Sequence, residues 1–154
     1  MFELGFGFVK CQKCQNKHMA KDAFHDAVKH ALEKDGWNVN KDPLTLRYAD
    51  QNYFIDLGAE RIIAAERDDN LIAVEVKSFI RESDAYEFHT ALGQFLTYKL
   101  MLAHLEPERV LYLAVPLDTF QTFFQERITQ ELVAQYKVAL IVYNPAQEVI
   151  ERWL

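Results

Sequence analysis

The sequence predicts an α/β fold in which a mixed central sheet is flanked by helices. Two observations predict it. Three short extended segments follow one amphipathic helix, and apolar strand-like segments then alternate with amphipathic helices. Strand–helix–strand units of this kind usually pair in parallel through a right-handed crossover. The predicted order of elements is therefore α-β-β-β-α-β-α-β.

The composition bounds what the chain can be. Its 154 residues fit one ordinary domain, and half of them are hydrophobic, which is typical of a chain that buries a core. The net charge of -6 argues against non-specific coating of DNA or of an anionic membrane, although it still allows a local basic groove. No apolar run approaches the ~20 residues of a membrane helix, so we expect a cytoplasmic protein without a membrane span.

The first helix is predicted to begin at Met19, with Asp22 as its N-cap, and to end at Gly36. Residues 1–18 have no periodicity, so we divide the chain into an N-terminal leader, disordered or not native, and a domain over residues 19–154. Two interpretations of the leader stay open. It is an upstream addition to a chain that starts naturally at Met19, or it is a native tail.

Three extended segments follow this helix, and a turn of polar residues centred on residues 67–70 separates the last two. The third segment, LIAVEVKSF, is almost continuously apolar, which indicates burial on both faces near the centre of the sheet. The segments are Leu44–Tyr48, Tyr53–Glu66 and Leu71–Phe79.

The C-terminal half is predicted to alternate helices with strands and to end in an edge strand. Ser83 is the predicted N-cap of the first of these helices. The predicted elements are helix Ser83–Leu105, strand Arg109–Val115, helix Asp118–Tyr136, strand Val138–Tyr143 and edge strand Glu148–Leu154.

Glu75 and Lys77 lie two residues apart on the predicted central strand, so their side chains point to the same side. Burying these charges is costly unless they are paired or bind a metal. Asp56, on the preceding strand, is 19 positions before Glu75 (75 − 56 = 19). Two carboxylates that converge there suit Mg²⁺ or Mn²⁺, with the Val76 carbonyl as a further ligand, and the lysine can serve the attacking water. Taken alone, however, a Glu-x-Lys pattern is more often an ordinary surface pair.

The strand register limits this arrangement. A turn centred on residues 67–70 places Glu75 opposite Ile62 rather than Asp56. A diagonal arrangement, or a bulge at Gly58, has to close the gap. Glu60 shares the parity of Asp56 and is a rival ligand.

The helix after Lys77 carries Gln94 and Tyr98 four residues apart, on one face. They either contact the scissile strand and its water, or are buried and bonded to backbone, and the pattern favours neither. Cys11, Cys14 and His18 have the spacing of half a zinc knuckle, but an unstructured leader is favoured. His25, on the first helix, is expected to be a satisfied histidine. The chain has no Walker loop and no dinucleotide fingerprint.

The arrangement Asp56…Glu75-x-Lys77, followed by Gln94-x-x-x-Tyr98 on a helix, resembles the PD-(D/E)XK restriction-endonuclease-like superfamily, although Ile55 replaces the proline that often precedes the aspartate. Residues 19–154 more narrowly resemble the XisH family, cyanobacterial fdxN element excision controlling factors. The segments that carry this resemblance are AKDAFHDAVKHALEKDGW, FIDLGAERIIAAER, IAVEVKSF, ALGQFLTY and RVLYLAVP.

The resemblance implies a Mg²⁺- or Mn²⁺-dependent DNA endonuclease-like protein for site-specific excision of a DNA element. Asp56 and Glu75 would be metal ligands, Lys77 the catalytic lysine, and Gln94 with Tyr98 would position the phosphate. The implied partners are DNA, a small XisI-like protein and a site-specific recombinase, and we expect a homo-oligomer because nucleases that act on duplex DNA often pair. Two alternatives stay open: a catalytically silent DNA- or recombinase-binding excision-controlling factor, and a restriction or phage-defence nuclease.

Overall fold

The computed structural model describes residues 12–48, 62–80 and 83–154. The described elements alternate helices and strands in nearly the predicted order. They are α1 Gln12–Lys34, β1 Asn38–Lys41, β2 Ile62–Arg67, β3 Asn70–Val76, α2 Asp84–Leu105, β4 Arg109–Pro116, α3 Leu117–Gln121, a 3₁₀ turn Phe123–Gln125, α4 Arg127–Gln135, β5 Ala139–Asn144 and β6 Val149–Trp153. Within the described ranges, no helix is long and apolar enough to cross a bilayer.

The strands form one six-stranded sheet in which chain order and spatial order agree, from β1 to β6. The pairs β3–β4 and β4–β5 are parallel, and each encloses a helical connection, as the strand–helix–strand pattern predicts. The other neighbouring pairs are antiparallel. The predicted α/β fold with a mixed central sheet flanked by helices is therefore confirmed.

Each face of the sheet packs against different helices. Along β3, Ile72 and Val74 pack in a cluster with α1, whereas Ala73 packs in a second cluster with α2 and the 3₁₀ turn. Side chains alternate between the two faces of a strand. Glu75 and Lys77 share the parity of Ala73, so they lie on the face that α2 covers.

The β2–β3 hairpin fixes the register at the site. Arg67 pairs with Asn70, and the two intervening aspartates have φ values of 49° and 67°. Positive φ at both central residues defines a type I′ turn, whose twist matches that of the flanking strands, and aspartate tolerates this conformation. The turn sets Ile62 opposite Glu75, which is the register that the sequence predicts.

Two predictions in the N-terminal half are wrong. The first helix begins at Gln12 instead of Met19, so Asp22 lies inside α1 and is not its N-cap. The first strand is Asn38–Lys41 rather than Leu44–Tyr48, although the backbone N–H of Leu44 donates to the carbonyl of Ile62 at 2.7 Å. β1 lies at the exposed edge of the sheet, so its residues NVNK carry no apolar pattern that would have revealed it. The predicted strand Tyr53–Glu66 lies outside the described residues up to position 61.

The predicted helix Asp118–Tyr136 is also wrong, because the chain forms α3, a 3₁₀ turn and α4 instead. Thr122 interrupts the helix with φ -112° and ψ -86°, and its hydroxyl donates to the carbonyl of Asp118 at 2.9 Å. Such local bonds compete with helix continuation. The break lets the adjacent Phe123 and Phe124 both pack into the α2 cluster. The predicted cap of α2 is confirmed, since the Ser83 hydroxyl oxygen accepts from the backbone N–H of Tyr86.

Two valines of β4 test where the core lies. Val115 is fully buried and Val110 is 50% exposed. We expect Val115→Ala to lower the free energy of unfolding by about 2 kcal/mol, because it removes buried methyl groups from a packed interior. Val110→Ala, the matched control, should lower it by less than about 0.5 kcal/mol. Urea unfolding of both variants measures this, and equal losses would contradict the assignment of the core.

Candidate functional site

The site is built on the C-terminal end of β3, in the interior of the sheet. Glu75 is 2% exposed and Lys77 is 1% exposed, and the lysine Nζ lies 3.5 Å from Glu75 Oε1. Val76 lies between them with its side chain on the α1 face. The backbone N–H of Lys77 still donates to the carbonyl of Ala114 on β4, so the strand geometry holds through the lysine. Two charged side chains are therefore buried side by side on one face of a central strand.

α2 supplies the polar side chains that face this pair. Lys77 Nζ donates to Gln94 Oε1 at 2.6 Å, a short charge-assisted bond. Tyr98, one turn further along, is 4% exposed. Its burial, with the negative charge of Glu75 as a second cause, raises the pKa of the Tyr98 hydroxyl far above its usual value. The structure thus gathers Glu75, Lys77, Gln94 and Tyr98 at one point, and Gln94 binds the lysine rather than the backbone.

The carboxylate of Glu75 is the least satisfied group at this point. Among the described residues, neither of its oxygens has a hydrogen-bond partner. Burial raises the pKa of Glu75 well above its ordinary value, in spite of the neighbouring lysine. A buried polar group without hydrogen-bond partners is unusual, and a buried carboxyl with a perturbed pKa is a candidate functional group.

Carboxylate oxygens that accept no hydrogen bonds fit a hard divalent cation, which prefers oxygen ligands. The described part of the chain gathers no group of three or more His, Cys, Asp or Glu side chains around a metal position. Glu75 is the acid that it contributes here. The predicted second ligand, Asp56, and its rival Glu60 lie outside the described residues.

The backbone at Lys77 is held from the opposite face of the sheet by a residue that the sequence analysis missed. The hydroxyl of Tyr143, a fully buried side chain on β5, donates to the carbonyl of Lys77 at 3.4 Å. Burial, and secondly the charge of Asp118, raises the pKa of Tyr143 far above its usual value, so the hydroxyl stays a donor. Tyr143 is 66 residues away from Lys77, and VALIVY reads as an ordinary core strand. No local signal in the sequence reveals the contact.

Two residues after Lys77, Phe79 has φ 52°. A bulky side chain in the left-handed region is strained, and such residues concentrate at functional sites. Its ring packs edge-on against Phe124, with centroids 5.7 Å apart, which holds the strained turn in place. The chain therefore leaves the strand abruptly at the point where the charged pair ends.

The histidine and cysteine predictions fall elsewhere. His25 Nε2 lies 2.9 Å from Asp42 Oδ1, and α1 covers the face of the sheet opposite to Glu75 and Lys77. The prediction of a satisfied histidine is confirmed for Nε2 but not for Nδ1, which is buried and has no hydrogen-bond partner among the described residues. Cys14 and His18 belong to α1, so the predicted unstructured leader is wrong from Gln12 onwards, whereas Cys11 lies outside the described residues and the disfavoured zinc-knuckle interpretation stays untested.

The comparisons with known proteins agree on one family. The chain matches the XisH family, described as XisH protein, over residues 18–151. It is 51% identical to an XisH family protein of Nostoc punctiforme whose crystal structure is known, with a TM-score of 0.80, and the match covers 86% of this chain and 99% of that one. It is 50% identical to an fdxN element excision controlling factor protein of Anabaena variabilis, with a TM-score of 0.79 and coverage of 86% and 98%. No match was found among the curated proteins.

The raised pKa of Glu75 has a measurable consequence for the metal-free protein. The folded state holds this proton more tightly than the unfolded chain, whose glutamates titrate near pH ~4.3. The stability of the wild type relative to Glu75→Gln should therefore fall as the pH rises from acid towards neutrality through the folded-state pKa. Urea unfolding of both proteins in EDTA across this range measures the difference. A wild type that instead gains on the variant with rising pH would show that the folded protein favours the ionised carboxylate.

Proposed function

The chain belongs to the XisH family, and we propose that it is a metal-dependent DNA endonuclease-like protein of the PD-(D/E)XK superfamily that acts in excision of a DNA element. The observation that supports hydrolysis is the buried Glu75–Lys77 pair on the central strand, with Gln94 bonded to the lysine. The role in excision is suggested by the name of the Anabaena variabilis relative.

The energetics of the pair support a functional role. Removing two charges from water costs several kcal/mol per ion, and a well-packed apolar pair is often more stable than a buried ion pair. Glu75 also lacks hydrogen bonds from the described residues, so stability alone gives no reason to keep a carboxylate there. Binding a cation would give the carboxylate oxygens a close partner in addition to the lysine 3.5 Å away.

Glu75, with Asp56 and the carbonyl of Val76, would hold Mg²⁺ or Mn²⁺. When bound, such an ion polarises a phosphoryl oxygen and lowers the pKa of bound water. Glu75 would bind the ion through its oxygens, because an ionised carboxylate can accept hydrogen bonds or ligate a metal but cannot donate a hydrogen bond. These assignments extend the acid–acid–lysine pattern of the superfamily to residues of this chain.

Lys77 would orient the attacking water and stabilise the negative charge that builds on the phosphate. Its ammonium has three donors, and Gln94 Oε1 accepts from one of them at 2.6 Å, which fixes the position of the nitrogen. The amide nitrogen of Gln94 is then directed away from the lysine and can donate to a phosphate oxygen. Tyr98 stays protonated because its pKa is raised, and its hydroxyl would donate to the same group.

A second candidate function is a catalytically silent excision-controlling factor that binds DNA or a recombinase. The net charge of -6 favours it, because DNA binding usually needs a strongly basic surface. The two functions differ in metal affinity, since a scaffold has no use for converging uncompensated carboxylates. An XisI-like protein, a site-specific recombinase and a second copy of the chain are the partners that we propose for either role.

Cleavage assays test the proposal. Wild-type protein should cut supercoiled, linear or single-stranded DNA in Mg²⁺ or Mn²⁺ and not in EDTA. Glu75→Ala and Lys77→Ala should each slow cleavage at least about a hundredfold, because each removes a group that acts on the reacting atoms. Glu151→Ala, at an exposed position of the edge strand β6, is the matched control and should cut normally. If folded wild-type protein does not cut, alone or with an XisI-like partner, the silent factor is the better interpretation.

Gln94→Ala tests the positioning of the lysine. It should lower the cleavage rate roughly tenfold and shift the pH profile, because Lys77 loses the acceptor that holds its ammonium. The free energy of unfolding should also fall, by about 1–3 kcal/mol, because the buried Lys77 ammonium loses this acceptor. Thr97→Ala, an exposed position of the same helix whose hydroxyl bonds to Gly93, is the control. A Gln94→Ala enzyme with wild-type rate and pH profile would remove Gln94 from the mechanism.

A further inference from the structure

A cleft of about 330 Å³ opens at the carboxyl ends of the three parallel strands, and its lining begins with the residue that follows Lys77. Its walls come from the residues that follow each strand: Ser78 and Phe79 after β3, Leu117 to Gln121 after β4, and Asn144 with Pro145 after β5. Ligands of open α/β sheets bind in this position. The volume lies at the small end of the ~300–1,000 Å³ typical of small-molecule sites.

The polar groups of the cleft suit a neutral ligand that carries hydrogen-bonding edges. Ser78 is 6% exposed, and its hydroxyl has no hydrogen-bond partner among the described residues. Asp118 and Gln121 line the same cleft with a carboxylate and an amide. Together they offer acceptors for N–H groups and donors for carbonyl oxygens or ring nitrogens.

The charge of the cleft argues against a phosphate inside it. Among the described residues that line the cleft, Asp118 is the ionisable one, and it is acidic. A carboxylate repels a phosphodiester but accepts hydrogen bonds from the amino groups of cytosine, adenine or guanine. Phe24, which is partly exposed, supplies aromatic surface beside it, and stacking on aromatic rings is the usual way to bind unpaired bases.

We propose that this cleft receives one unpaired base of the DNA strand, next to the phosphate that lies over Lys77. The inference rests on the proposed function, because it takes the strand to cross the Glu75–Lys77 pair. Ser78 directly follows Lys77, so the cleft and the pair lie at the same end of β3, and a strand that crosses the lysine would reach the cleft by passing around the end of β3. The substrate class is then single-stranded or locally unpaired DNA, and a base in a duplex would have to flip out.

Binding of two single strands of equal length tests the inference. One is an ordinary fluorescein-labelled deoxyoligonucleotide. The other is fully abasic and carries the same phosphates without bases. Fluorescence anisotropy in Ca²⁺, which takes the same oxygen ligands as the proposed metal, measures affinity, and a gel checks that the strands stay intact. We expect wild-type protein to bind the ordinary strand at least about fivefold more tightly than the abasic one.

Gln121→Ala and Asp118→Asn should each weaken binding of the ordinary strand severalfold and leave binding of the abasic strand unchanged. Gln130→Ala, an exposed glutamine of α4 outside this cleft, is the matched control and should change neither. If the cleft held a phosphate, Asp118→Asn would instead tighten binding of both strands, because it removes a repelling charge. That result, or cleft variants that bind the ordinary strand as wild type does, would overturn the inference.

The binding and cleavage assays distinguish failure of the proposed cleft from failure of the proposed nuclease activity. Base-dependent binding that Gln121→Ala weakens severalfold, with no cleavage in Mg²⁺ or Mn²⁺, would support the cleft and reject the nuclease. Cleavage that needs Glu75 and Lys77 but proceeds equally in the Gln121 and Asp118 variants, with unchanged binding, would support the nuclease and reject the cleft. Wild-type protein that binds neither strand would reject the cleft.

Discussion

The burial of Glu75 and Lys77 on the central strand is the constraint on which the site depends. The two side chains are almost fully buried and their charged atoms lie 3.5 Å apart, so bulk water solvates neither charge. Gln94 accepts a hydrogen bond from the lysine, whereas no described residue donates a hydrogen bond to the Glu75 carboxylate. The fold therefore retains two buried charged side chains whose desolvation lowers its stability. A core selected for stability alone would replace both residues by apolar ones.

The order of the sheet explains how this cost is tolerated. β3 is paired on both sides, with β2 antiparallel and β4 parallel, so its backbone cannot move to release the charges. Apolar clusters on both faces fix it further, and Tyr143 bonds to the carbonyl of Lys77 from the far face. β3 ends at Val76, and the chain turns sharply three residues later at the left-handed Phe79. Rigidity around the pair and a sharp exit beside it are what a preorganised site requires.

The sequence predicts whatever a local pattern encodes. The turn before β3 predicts the Ile62–Glu75 register, and the serine at position 83 predicts the cap of α2, because both depend on neighbouring residues. The exposed strand β1 and the break at Thr122 escape prediction, since one has no apolar period and the other depends on packing of Phe123 and Phe124 against α2. At the site, spacing predicts that Glu75 and Lys77 share a face. The hydrogen bond from Tyr143 to the carbonyl of Lys77 depends on the crossover connections that place β5 two strands away from β3, and no local pattern predicts it.

The acidic net charge and the proposed DNA substrate are compatible if affinity does not come mainly from phosphates. Non-specific DNA binding rests on lysine and arginine contacts with the backbone, and a chain of net charge -6 has little to spare for them. Stacking and hydrogen bonding of a base in an acidic cleft need no such excess. A duplex hides its base edges from a cleft of this kind, whereas an unpaired strand presents them. On this proposal, the acidity that weakens binding to intact duplex would direct the Glu75–Lys77 pair towards DNA that is already opened.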